Sequence, residues 1–155
     1  MKRKTLQWMS SMILIAFLSF TVTSCDKEED ETYDISATLN SSQEVPAPVV
    51  ASTGTGTLTG TFNESTNMLS YNVTWSGLTA MASAAHFHGP AMAGATASPV
   101  VTFTLNNNGT SGSASGTATL TDTQEQDLLA GKWYVNVHTP NNGPGEIRGQ
   151  VSATK

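Results

Sequence analysis

Cysteine is almost absent from this 155-residue chain: Cys25 stands alone, so no intrachain disulfide can staple the fold. Charge is scarce too, at 12% Asp, Glu, Lys and Arg, about half the usual share for a soluble domain. Of only seven Lys and Arg, three are Lys2, Arg3 and Lys4. The rest form no basic patch to neutralise phosphates, which excludes a nucleic-acid partner. Leu, Glu and Lys are too few, and Thr and Gly too many, for a helical bundle. The apolar stretch at 6–20, softened by Gln7, Ser10, Ser11 and Ser19, falls short of the ~20 residues of a membrane span.

What the N-terminus does hold is an address. Lys2-Arg3-Lys4 is a positive start, residues 6–20 have the length of a signal-peptide apolar core, and Val22-Thr23-Ser24 places small residues before Cys25. The segment resembles a bacterial lipoprotein signal with its lipobox. That resemblance implies cleavage before Cys25 and lipid on its thiol, with more than one acyl chain and hence stable anchoring. It also explains a single cysteine in an oxidising compartment, because the thiol is never free. An uncleaved anchor is the alternative.

Asp26-Lys27-Glu28-Glu29-Asp30-Glu31 follows, a self-repelling run with nothing to bury, which reads as a solvated tether. It is similar to a surface-export signal of lipoproteins, which implies a lipid-anchored place in the cell envelope, at the outer membrane and facing outward. An Asp directly after the cysteine favours inner-membrane retention in some hosts, and a plain spacer is the simpler alternative. The chain thus divides into a signal at 1–24, a lipidated cysteine and tether at 25–34, and one domain at 35–152. Of the formal net charge of −5, the leader is cationic, the tether carries six acids and one lysine, and the domain has six acids against Lys132, Arg148 and Lys155.

From Ile35 the apolar pattern has period two. Leu69, Tyr71, Val73 and Trp75 alternate with Ser70, Asn72 and Thr74; Trp133, Val135 and Val137 alternate with Tyr134, Asn136 and His138. Similar alternation runs through 35–39, 58–62, 101–105, 114–120 and 147–151, with turn chemistry at 64–67, 106–109 and 141–145. One short helix is expected, with Asp122 as cap, Glu125 completing a capping box and Gly131 as the stop. The fold class is all-β: an antiparallel β-sandwich or flattened barrel of about eight strands with one short helix.

Three histidines carry the candidate chemistry. His86 and His88 are two apart and project from one face of a strand, their Cα atoms roughly 6.5–7 Å apart. His138 ends a second strand on the face opposite Val135 and Val137. Two histidines from one strand and one from a neighbour make a three-histidine set that suits copper or zinc with an open position. A 139–145 loop sets His138 near Glu146, Asn136 opposite Arg148 and Tyr134 opposite Gln150, giving one polar, half-exposed face and one core face. Glu146 is then a fourth ligand or a partner orienting a ligand, with Asn136 and Arg148 in the same network. The other reading is a hydrogen-bonded network without metal. Acid–base catalysis by His138 and Glu146 ranks below both, since no nucleophile is evident.

Taken together, Gln43-Glu44-Val45-Pro46, Ala85-His86-Phe87-His88-Gly89, Tyr134-Val135-Asn136-Val137-His138-Thr139 and Gly145-Glu146-Ile147-Arg148-Gly149-Gln150 resemble the CHRD domain over about 35–152. The positions fitting that pattern are Glu44, Pro46, His86, His88, Gly89, Asn136, His138, Glu146, Arg148 and Gly149. The resemblance implies a β-sandwich-like extracellular module without an established activity. Growth-factor antagonism is not implied, because the cysteine-rich modules to which it is attributed are missing. The His-x-His spacing is similar to the copper strand of copper/zinc superoxide dismutases, but three histidines cannot furnish a fourth copper ligand and a separate zinc site. The expectation is a non-enzymatic binding or structural module whose ligand the sequence does not identify, an extracellular protein or a glycan being the candidates, displayed on a membrane through its lipid. The alternative is a copper- or zinc-binding envelope protein using His86, His88 and His138.

Overall fold

The alternation seen in the sequence becomes burial in a computed structural model that describes residues 31–155. The expected signal at 1–24, Cys25 and the acids up to residue 30 lie outside the described residues. In β2 (Thr55–Asn63) the threonines at 55, 57, 59 and 61 are exposed while Leu58 and Phe62 are buried. β3 (Met68–Ser76) does the same, with Leu69, Tyr71, Val73 and Trp75 inward. Branched, hydroxyl-tipped Thr suits the wet side of a pleated strand, and the apolar residues opposite it form the core.

The remaining strands are β1 (Thr32–Asn40), β4 (Ala84–His88), β5 (Pro99–Thr102), β6 (Leu105–Asn107), β7 (Gly112–Thr119), β8 (Tyr134–His138), β9 (Ile147–Gln150) and β10 (Ser152–Thr154). All pair antiparallel in a single sheet ordered β5-β4-β8-β9-β1-β2-β3-β7-β6, with β10 beside β1. Residues 32–34 of the expected tether are therefore paired in the sheet.

β5 and β6 lie at opposite ends of that order, yet only Phe103 and Thr104 separate them in the chain. Three Cα steps span about 11 Å at most. The two sheet edges must therefore approach each other, which curls the sheet into a flattened barrel. Phe103 fills the junction: its ring stacks on Tyr71 at 4.5 Å and meets Phe87 edge-on at 4.9 Å.

The crossover also corrects the strand count. One strand was expected through Val101, Phe103 and Leu105, and another through Ile147 and Val151; each is two. Phe103 breaks the first. Val151, whose N–H donates to Trp133 O, breaks the second before Ser152–Thr154 join β1.

The single α-helix among the described residues, α1 (Asp122–Leu129), starts one residue earlier than expected. Thr121, not Asp122, is the cap: its hydroxyl accepts from Gln124 N at 3.3 Å, and Gln124 Oε1 accepts from Thr121 N at 3.0 Å. Gln in the third helical position reciprocates as well as Glu does, so the pattern allowed both frames. Gly131, at φ +67°, ends the helix as expected. Among the described residues no helix is long and apolar enough to cross a membrane.

Candidate functional site

β4, β8 and β9 lie side by side, and their register decides which side chains share a face. His88 pairs with Tyr134, His86 with Asn136 and Ala84 with His138; Tyr134 pairs in turn with Gln150 and Asn136 with Arg148. The histidines, Tyr134, Asn136, Arg148 and Gln150 therefore occupy one face, as the sequence pairing predicts.

The centre of the face is buried, however, while His86, His138 and Gln150 keep partial exposure. Arg148 is 1% exposed, Asn136 and Tyr134 2%, and His88 7%. Two loop segments cover it. From residues 41–50, Glu44 Oε1 accepts from Asn136 Nδ2 at 3.1 Å. From 89–98, Ala91 O accepts from Gln150 Nε2 at 2.9 Å, and Tyr134 Oη donates to Ala97 O at 3.3 Å. A cleft of about 170 Å³ remains between the segments, with Gln43 and Val45 on one side, Ala93 and Gly94 on the other, and Arg148 and Gln150 between.

The three histidines meet as expected: one ring nitrogen from each lies within 4.8 Å of the others. His86 Nδ1 faces His138 Nε2 at 3.1 Å. Two nitrogens bound to one tetrahedral ion at 2.0–2.1 Å stand roughly 3.3–3.4 Å apart. Carbonyl oxygens fix two of the tautomers. His88 Nδ1 lies 2.9 Å from Ala97 O and His138 Nδ1 2.9 Å from Gly143 O. A carbonyl only accepts, so each Nδ1 carries the proton and each Nε2 presents a lone pair. His88 Nε2 is buried and has no hydrogen-bond partner among the described residues.

Electrostatics keep these rings neutral. Burial, then the neighbouring His138 and His88, lower the pKa of His86 to about 4. Burial is also the main cause lowering His88, helped by His138 and Arg148, and burial lowers His138. Neutral imidazole is the ligating form.

Glu146 does not join them. Its fully buried carboxylate accepts from Ser52 Oγ at 2.7 Å, Thr79 N at 2.6 Å, Thr79 Oγ1 at 2.8 Å and Thr139 Oγ1 at 2.6 Å. Regular pairing stops at Val137–Ile147, and Gly145 at φ +151° turns the chain, so Glu146 sits beside Thr139 instead of opposite His138. Burial pushes its pKa up, but the four donors outweigh it and hold the carboxyl below its ordinary range.

Glu44 is the acid that stands on the histidine face. Burial raises its pKa to about 7, against the lowering effects of the Val45 N–H, Arg148 and Asn136. A Cβ on Gly145 would collide with both Asn136 and Glu44, so only glycine fits there. Arg148 is held by stacking: its Cζ is 3.5 Å from the Tyr134 ring centre, and that ring lies parallel to His88, centroids 4.8 Å apart. Glu44 was visible in the sequence as a lone acid in an otherwise uncharged segment, but nothing there said which face it would reach.

A single curled antiparallel sheet with a covered His, Asn and Arg face defines an all-β domain of flattened-barrel type. A family profile for the CHRD domain matches residues 35–151, three-quarters of the chain, and the chain belongs to that family. No curated protein and no solved structure matches it.

Proposed function

We propose that this protein is a metal-binding CHRD lipoprotein of the cell envelope, in which His86, His88 and His138 hold one copper or zinc ion. The observation that carries the reading is the convergence of three ring nitrogens within 4.8 Å, two of them with tautomers fixed by backbone carbonyls. In this reading the protein binds rather than catalyses. His86 and His138 are partly exposed, which supplies a route for the ion, while buried His88 supplies the rigid ligand. Delivery rests on the basic start, the apolar core and Cys25, which support a lipid anchor at the outer membrane with the domain outside.

The test is the metal content of the full chain extracted from membranes in mild detergent. About one equivalent of copper or zinc per chain is expected, lost in His86→Ala and in His138→Ala, and the ion should raise the melting temperature of the wild type. Cys25→Ala should leave the membrane fraction with its metal still bound. A folded wild type that retains neither ion and is stabilised by neither contradicts the proposal.

A further inference from the structure

A three-histidine set brings no negative charge to its ion, and the surroundings of this one add positive charge instead. Both nearby carboxylates are withheld. Glu146 is committed to four donors on the far side of the turn. Glu44 is bonded to Asn136 and the Val45 N–H, and burial favours its neutral form. The fixed charge on this face is the Arg148 guanidinium, 1% exposed and one aromatic ring away from His88. Among the described residues no carboxylate lies within ion-pair distance of it, and none of those residues accepts a hydrogen bond from its Nη1.

A buried guanidinium with no carboxylate at ion-pair distance, and with Glu44 beyond that distance favoured in its neutral form, acts on whatever cation the histidines hold. Coulomb repulsion scales with the ion's charge, so a dication is penalised twice as heavily as a monocation at the same place. Imidazole nitrogens suit zinc and copper alike, so the ligands themselves leave the choice of ion to the surrounding charge.

We infer that this site is built for the monovalent ion, copper(I), and that Arg148 is the residue that sets the preference, an inference that rests on the three-histidine reading above. Arg148 touches no ligand atom; it acts through its charge across Tyr134. Removing that charge raises zinc affinity by the square of the factor by which it raises copper(I) affinity, so the ratio of the two shifts toward zinc.

The experiment compares the full-length wild type, Arg148→Met and Arg148→Lys in mild detergent, anaerobic and with ascorbate, at about pH 6, where Glu44 stays mostly protonated. Copper(I) is titrated against a chromophoric copper(I) chelator and zinc(II) against a zinc chelator, with melting curves to show that each variant folds. The expected result is a zinc-to-copper(I) affinity ratio raised roughly tenfold in Arg148→Met and kept near the wild-type value in Arg148→Lys, which retains the charge but not the stacking. A folded Arg148→Met with an unchanged ratio overturns the role of Arg148 and leaves the three-histidine site standing. If Arg148→Met does not fold, the wild type decides: zinc bound more tightly than copper(I) overturns the inference. A wild type that binds neither ion overturns the metal reading itself.

Discussion

Glu44 and His86 make stability depend on pH in opposite directions. For Glu44 the folded protein holds its proton up to about pH 7, while the unfolded chain releases it near 4.5. Between those values the folded state binds more protons, so this residue's contribution is fully present below 4.5 and is lost as pH rises through 7. His86 runs the other way: with a folded pKa of about 4, its contribution is present above 6.5 and is lost as pH falls toward 4. Glu44→Gln keeps an amide oxygen for Asn136 and removes only the first of these. Urea unfolding at a series of pH values should show the stability of Glu44→Gln relative to wild type growing from pH 4.5 to 7, by on the order of 3 kcal/mol, and then levelling. A difference that is flat across that range contradicts the buried, protonated Glu44. The same residue shows where sequence reading stops. Its charge and isolation are legible, but its partner Asn136 is 92 positions away and no local pattern links them.

At the level of elements, the strands and the pairing of β8 with β9 were legible because alternation and loop length fix both. Asn136 does face Arg148, and Tyr134 does face Gln150. What lies over that face was not legible, since it depends on bonds such as Gln150 Nε2 to Ala91 O that join loops to a distant strand. Nor was the destination of Glu146, because one glycine at positive φ ends the pairing a residue early. Its carboxylate ties the segments at Ser52 and Thr79 to the β8–β9 turn. Asn142 reinforces the tie, its amide accepting from Val50 N at 2.8 Å and donating to Val50 O at 3.1 Å. Glu146→Ala strands several buried donors at once and should cost on the order of 3 kcal/mol or more in urea unfolding. On the proposed three-histidine reading, the copper(I) affinity of any Glu146→Ala protein still folded should change little, because Glu146 does not stand on the histidine face. A cost below about 1 kcal/mol shows that the carboxylate is not the clamp.

Across the whole molecule, scarcity of charge and the position of what remains are one design. The acids of residues 26–31 lie before the sheet, whereas the domain keeps its few charged residues for local tasks. Lys132 pairs with Asp127 at 3.1 Å, Glu146 clamps loops, and Glu44 and Arg148 flank the histidines. The curled sheet brings this about: β4, β8 and β9 stand together near one sheet edge, and the 41–50 and 89–98 segments fold back over them. The result is a three-histidine corner that is buried at His88 and partly exposed at His86 and His138. X-ray absorption at the metal edge of the copper-loaded full chain tests that corner most directly. Three imidazole nitrogens at about 2.0 Å should appear in the wild type, falling to two in His88→Ala. A sulfur neighbour at about 2.3 Å, or a spectrum that His88→Ala leaves unchanged, would place the ion elsewhere and contradict the three-histidine site.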